Sequence, residues 1–253
     1  METKTLSTTS TVTHGKRKHL LASLRQDVQS AIERDPAARS YFEIVLLYPG
    51  LHAIWGHRIA HWLWSHDHKL TGRLLSQFMR GLTGVEIHPG AIIGHGLFID
   101  HGMGVVIGET AEIGEDVTMY HGVTLGGTRL EKGKRHPTIG DRVVLGAGSK
   151  ILGAITIGSD TRIGANAVVV KSVPENSVVV GVPGQIIARS KPHHSSDLPD
   201  LNHTLLPDLV GVSLSDLMIR VEALEKHQDG QEAFKPHIHA PNHGTWNGED
   251  FSI

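Results

Sequence analysis

The sequence predicts a mainly β protein, a left-handed parallel β-helix, and three observations predict it. An aliphatic residue recurs at every sixth position: Ile87, Ile93 and Ile99, then Ile107, Ile113, Met119 and Leu125, then Ile139, Leu145, Ile151, Ile157, Ile163 and Val169. A period of six fits neither a helix nor an alternating strand. It is the period of a solenoid in which each hexad makes one short strand and one turn. Most of these residues precede a small neighbour, as in Ile107-Gly108, Ile139-Gly140 and Ile163-Gly164, where the backbone must round a corner. Third, 29 glycines and only 5% aromatic residues suit a narrow coil filled by Ile, Val and Leu. Three hexads close one triangular turn, so residues 87–174 supply roughly four to five stacked turns.

The remaining elements follow in chain order. Residues 1–15 read as disordered and 16–84 as an α-helical region. Asp35-Pro36 reads as a helix N-cap followed by proline at the first helical position. Pro49-Gly50 breaks the pattern. Leu51 to Trp64 then resumes it, with Leu51, Ile54, Trp55, Ile59, Trp62 and Leu63 on one apolar side. The coil takes 85–189, and 190–253 is a polar tail rich in His, Pro and Asp. Within that tail Val210, Leu214, Leu217, Val221 and Leu224 alternate spacings of four and three, which places a short helix over 213–227. Two readings of it stand: an amphipathic helix lying on the coil, or a small trimeric coiled coil on a three-fold axis, marginal in isolation.

Composition excludes several classes. A formal net charge of −2 argues against nucleic acid as a partner, because phosphate binding needs a basic surface. No apolar run reaches the length of about 18 residues that spans a membrane. The absence of cysteine removes disulfides, thiolate catalysis and thiolate metal sites. The N-terminus has no apolar secretory core, which points to the cytoplasm, with a transit peptide as the minor alternative.

The repeat breaks twice, and chemistry is sought there. Leu125 to Ile139 is a step of fourteen, which leaves an inserted, charged loop at 127–137 containing Arg129, Lys134, Arg135 and His136. A long excursion from a regular coil is usually functional. The step from Ile99 to Ile107 is eight and carries Asp100-His101-Gly102-Met103-Gly104, a place for a catalytic base beside glycines.

The runs Val85-Glu86-Ile87-His88-Pro89, Ile99-Asp100-His101, Val106-Ile107-Gly108-Glu109-Thr110, Leu125-Gly126-Gly127-Thr128, Arg135-His136-Pro137 and Gly146-Ala147-Gly148 resemble the serine O-acetyltransferase family of hexapeptide-repeat acyltransferases. So does Tyr48-Pro49-Gly50-Leu51-His52-Ala53 with the His57–Leu63 stretch. The resemblance runs from about Arg34 to Val182 in a form with a short N-terminal part. It implies acetyl transfer from acetyl-CoA to the L-serine hydroxyl, giving O-acetylserine and CoA, the first step towards cysteine. By the resemblance His101 is the general base, since an imidazole takes a proton near neutral pH and returns it to the leaving thiolate. Glu86, fifteen residues upstream, is its orienting carboxylate, where many members carry Asp. Asp35 and Asp100 take the serine ammonium. Arg135 and His136 take its carboxylate, the guanidinium fork suiting both oxygens.

Acetyl-CoA is the co-substrate, its pantetheine arm expected in a groove between subunits, along Gly127, Ala147, Gly148 and Ala165, with Lys150 or Lys171 towards phosphate. Repeat geometry alone also explains those small residues. A groove between subunits implies a homotrimer or a dimer of trimers. The resemblance further implies feedback inhibition by L-cysteine at the serine site and binding of O-acetylserine sulfhydrylase through the C-terminal Ile253. Two other activities suit the fold: acetyl transfer to a sugar hydroxyl, and zinc hydration chemistry of the carbonic anhydrase type. The latter needs three histidine ligands and an open position. His88, His95, His101, His121 and His136 lack that group's ligand pattern, so no metal is expected. His237, His239 and His243 read as solvated tail residues or a tail metal site.

Overall fold

A computed structural model describes residues 20–188 and 209–229; the expected disordered segment 1–15, the tail histidines and Ile253 lie outside the described residues. Four helices precede the coil: α1 (Leu20–Arg34), α2 (Tyr41–Leu47), α3 (Pro49–Ser65) and α4 (Lys69–Thr83). The coil has three flat faces. The first carries β1 (Glu86–Ile87), β4 (Val106–Ile107), β7 (Thr124–Gly126), β10 (Lys150–Leu152) and β13 (Val168–Val169). The second carries β2 (Ile92–Ile93), β5 (Glu112–Ile113), β8 (Thr138–Ile139) and β11 (Thr156–Ile157). The third carries β3 (Phe98–Ile99), β6 (Thr118–Met119), β9 (Val144–Leu145), β12 (Arg162–Ile163), β14 (Ser177–Val180) and β15 (Gln185–Ala188). From β1 to β13 every third strand pairs in parallel, and β14 adds in parallel to β12, the topology of the left-handed β-helix.

The hexad residues are the register partners. Ile87, Ile107, Leu125, Ile151 and Val169 stack in one column. Ile93, Ile113, Ile139 and Ile157 form the second, and Ile99, Met119, Leu145, Ile163 and Val179 the third. All but the half-buried Ile93 are buried, each burial contributing about 1.5–3 kcal/mol. β15 runs antiparallel to β14 and caps that face, covering an edge that would otherwise template further pairing.

The three corners differ. At the corner between the second and third faces, Gly96, Asp116, Arg142, Asp160 and Asn176 all take positive φ and carry a charged ladder. Arg142 meets Asp160 at 2.8 Å, and Arg34 at the end of α1 reaches Asp116 at 3.2 Å and the Gly96 carbonyl at 3.0 Å. This pins α1 to the coil. At the corner between the third and first faces the equivalent positions are Gly104, Gly122 and Gly148, topped by Asn166. A glycine there supplies the left-handed turn and also leaves the corner bare of side chains. The third corner, between the first and second faces, carries the 127–137 loop, bounded by β7 and β8 as the hexad count requires.

Several expectations need correction in the helices. Asp35 does not start a helix. Its N–H donates to the Ala31 carbonyl at 3.0 Å, so it ends α1, and its carboxylate accepts from the Ala37 N–H at 2.8 Å. The next helix starts from Ser40, whose hydroxyl accepts from the Glu43 N–H while Glu43 reaches back to Arg39, close to a capping box. Pro49-Gly50 falls at the break between α2 and α3, which lies at the extended Tyr48, and both residues open α3 with proline in the first turn. The buried face of α3 consists of Gly50, Leu51, Ala53, Ile54, Gly56, His57 and Ala60, while Ile59 and Trp62 face outward. Close approach to the coil and to α4 selects small residues over large ones there. The tail helix α5 spans Leu209–Asp229, longer at both ends than 213–227. Among the described residues no helix is long and apolar enough to cross a membrane.

Burial of His57 carries a pH consequence. Desolvation, with His61 and Arg58 adding, pushes its imidazole down to about 3. The unfolded chain binds a proton there below about pH 6.5 and the folded chain does not. Stability is therefore complete above 6.5 and falls towards pH 3, by about 1.4 kcal/mol per pH unit for this group. Urea denaturation from pH 7 to 4.5 is expected to show a shallower decline for His57→Gln than for the wild type.

Candidate active site

The expected site residues gather at two corners. At the glycine corner, the turn between β3 and β4 presents Asp100 and His101. His101 has φ +59°, a left-handed conformation that throws its ring outward; the side chain is 73% exposed and its Nε2 lies 3.7 Å from the Asp100 carboxylate. The His121 ring, one coil lower, stands 5.9 Å away. Asp35 approaches from the α1–α2 turn, its carboxylate accepting from the Tyr48 hydroxyl at 2.5 Å. Burial raises the Asp100 carboxyl above its ordinary range, His101 opposes this, and the Asp35 charge adds to it. Two carboxylates thus press on one another beside an exposed imidazole, an arrangement a cation relieves.

At the loop corner, Thr110 organises Arg135 and His136. Its hydroxyl accepts from the Arg135 N–H at 3.0 Å and the His136 N–H at 3.1 Å, and its own N–H donates to His136 Nδ1 at 3.2 Å. With Nδ1 an acceptor, neutral His136 carries its proton on Nε2. Desolvation and the Arg135 charge hold this imidazole below its ordinary value. The ring lies against Gly108, where a Cβ would come within 2.0 Å of it. The Arg135 guanidinium pairs with Glu109, whose carboxyl is lowered by that bond. Lys134 closes the loop on the Thr110 carbonyl at 2.8 Å and Glu112 at 2.9 Å.

Asp100 interacts with Asp35, Tyr48, His101, Tyr120 and His121 at the glycine corner, and His136 with His88, Glu109, Thr110, Lys134 and Arg135 at the loop corner. One chain therefore holds two half-sites at two corners. Glu86 does not meet His101 here. On β1 its side chain turns to the Arg80 guanidinium at 3.3 Å, leaving Asp100 as the carboxylate beside the imidazole. Ala147, Gly148 and Ala165 lie on the glycine corner, and Gly127 opens the loop with a Cβ position 3.1 Å from His136 Nε2. Lys150 donates to the Gly122 carbonyl, which spans successive coils of that corner. Among the described residues no group of three or more His, Asp or Glu is arranged to hold a metal ion.

Thr110 and Tyr48 were not singled out from sequence. A threonine at a coil corner looks like any turn residue until the loop twenty-five positions on folds over it. Thr110→Val, which strips the Arg135 and His136 N–H groups of their acceptor, is expected to lower the free energy of unfolding by about 1–3 kcal/mol. Urea denaturation with Thr110→Ser restoring the midpoint checks it.

A three-faced coil of hexads with an extended loop at one corner defines a class, the hexapeptide-repeat transferases. Residues 136–171 match the family described as bacterial transferase hexapeptide (six repeats), and residues 1–55 match serine acetyltransferase, N-terminal. A serine acetyltransferase of Mycobacterium tuberculosis is 57% identical over 234 residues, covering 92% of this chain and all of that one. The structure of Neisseria gonorrhoeae serine acetyltransferase in complex with serine superposes with a TM-score of 0.65 at 45% identity, covering 66% of this chain and 69% of that one. Brucella abortus serine acetyltransferase in complex with coenzyme A gives 0.66 at 44% identity, over 68% and 69%. The chain belongs to the serine acetyltransferase family.

Proposed function

We propose that this chain transfers the acetyl group of acetyl-CoA to the hydroxyl of L-serine, with His101 as general base. The observation that carries the residue assignment is the charge pattern: paired carboxylates beside an exposed imidazole at one corner, a guanidinium and a neutral imidazole donor at another. Together they complement a zwitterionic amino acid. Asp35 and Asp100 hold the ammonium. Arg135, sharing Glu109, and His136 through Nε2 hold the carboxylate. His101 removes the hydroxyl proton as the serine oxygen attacks the thioester carbonyl. The tetrahedral intermediate collapses with loss of the thiolate, to which the imidazolium returns the proton, releasing O-acetylserine and CoA. Glu86 is the carboxylate assigned to the other ring nitrogen, a role it takes only on leaving the Arg80 guanidinium that it meets at 3.3 Å.

The two half-sites meet if a neighbour's loop corner packs against the glycine corner, so the active form is a homotrimer with three equivalent grooves. Acetyl-CoA lies along the bare column of Gly104, Gly122 and Gly148, with Ala147, Ala165 and Gly127 allowing close approach and Lys150 or Lys171 near phosphate. The exposed rows Phe42 and Leu47 on α2 and Leu70, Leu74, Phe78 and Leu82 on α4 are surfaces through which two trimers would pair. L-cysteine, with the same ammonium and carboxylate, inhibits at the serine site. The enzyme is cytoplasmic, and its C-terminal Ile253 docks in O-acetylserine sulfhydrylase. Deleting Ile253 is expected to abolish that binding in a pull-down and leave acetyl transfer intact. CoA release from acetyl-CoA with L-serine tests the whole reading; no serine-dependent release from a folded trimer would redirect it to sugar hydroxyls.

A further inference from the structure

The tail helix α5 is not used by the chemistry above, and among the described residues its apolar row is uncovered. Leu214, Leu217, Val221 and Leu224 are each half or more exposed, at successive a and d positions of a heptad. In that frame Arg220 falls at g and Glu225 at e, five residues apart. In parallel, in-register helices a g residue faces the e residue five positions on in its neighbour. Arg220 of one copy would therefore meet Glu225 of the next, closing the apolar seam with an opposite-charge pair at every interface.

We infer that α5 from three copies of this chain forms a parallel three-stranded coiled coil on the trimer axis; this rests on the homotrimer of the proposed function. A three-fold rotation preserves direction along its axis, so three symmetry-related helices lying along it are necessarily parallel and in register. This is the arrangement the Arg220–Glu225 spacing fits, and an antiparallel pairing would not use it. Twenty residues, 189–208, separate α5 from β15 and reach at most about 70 Å. Three heptads are marginal for free helices. Tethering to one trimeric coil raises their effective concentration into the millimolar range, which converts a weak association into a formed one.

The chain has no cysteine, so single introduced thiols report on register in the full-length protein. Leu217→Cys, at a core d position, and Ile219→Cys, at the outward f position, are oxidised with copper phenanthroline after light scattering has given the mass. The expected result is a mass of three or six chains, with about two of every three Leu217→Cys chains linked in pairs on a non-reducing gel, since three thiols on one axis leave one over. Ile219→Cys stays unlinked. Adding Arg220→Glu to Leu217→Cys slows the linkage, and adding Glu225→Arg as well restores it. A trimer in which Leu217→Cys links no faster than Ile219→Cys overturns the coiled coil and leaves the trimeric enzyme standing. A mass that is not three or six chains overturns the assembly on which both rest, and complete pairwise linkage overturns the three-stranded form.

Discussion

Replacing His101 by asparagine is expected to lower kcat/KM for serine by about 10²–10⁴-fold, the contribution of a positioned general base. Asparagine is the informative substitution because position 101 has φ +59°. Asn enters the left-handed region several-fold more readily than most residues, whereas alanine would mix backbone strain with loss of the base. With the turn preserved, binding of serine to Asp35, Asp100, Arg135 and His136 should persist, so the fall appears mainly in kcat. The residual rate measures positioning alone. CoA release assayed alongside the trimer mass separates the outcomes: a folded trimer retaining activity within tenfold of wild type would remove His101 from the chemistry. Candidates for the base would then narrow to His121, whose ring lies 5.9 Å away.

The parts of this protein set by a periodic rule were legible in its sequence, and the parts set by packing between distant segments were not. Each hexad aliphatic faces the coil interior in register with the residue one turn away, and the residue two positions before it, as at Val85, Ala91, Leu97, Val105, Ala111 and Val117, is buried beside it. The two departures from that period fall where the structure puts Asp100-His101 and the 127–137 loop. The helices were harder. Of the apolar side read along α3, Leu51 and Ile54 are buried, but Ile59 and Trp62 face outward and the rest of the buried face is Gly50, Ala53, Gly56 and Ala60. Neither hydropathy nor helical periodicity anticipates a surface chosen for closeness of approach. Asp35 looked like a cap because proline follows it, although Ser40 with Glu43 carried the stronger start signal. The division of the site between two corners was likewise hidden. Motifs adjacent in the chain's logic, Asp100-His101 and Arg135-His136, sit on turns of the coil that face different directions.

The largest structural effect expected of a single methyl group is at Gly50, and it reaches the site. A Cβ at Gly50 would lie 2.2 Å from the Ile99 carbonyl oxygen and 2.9 Å from the Ile99 Cβ. The Ile99 carbonyl lies on the open edge of β3 between Phe98 and Asp100, whose N–H groups are held by the Val117 and Met119 carbonyls, so it cannot rotate aside and α3 must move off the coil by about 1 Å. Overpacking of this kind costs about 1–3 kcal/mol, occasionally more. That outweighs the gain of about 1 kcal/mol that alanine brings to a helix. Gly56, six residues along the same helix, is the control. Its Cβ would meet the Cγ, Sδ and Cε of Met79 at 2.5–2.8 Å, a side chain with three rotatable bonds that can swing away. Gly56→Ala is therefore expected to leave the melting temperature within a few degrees of wild type, while Gly50→Ala lowers it clearly in the same calorimetric scan. Activity should separate them further. The displaced Ile99 carbonyl immediately precedes Asp100 and the proposed base His101, and a shift of about 1 Å in such a group costs up to about 10²-fold in rate. Equal losses of stability in the two variants would mean that the α3 surface tolerates or rejects any added methyl alike, and that the rigid contact at Ile99 is not what sets the position of the catalytic turn.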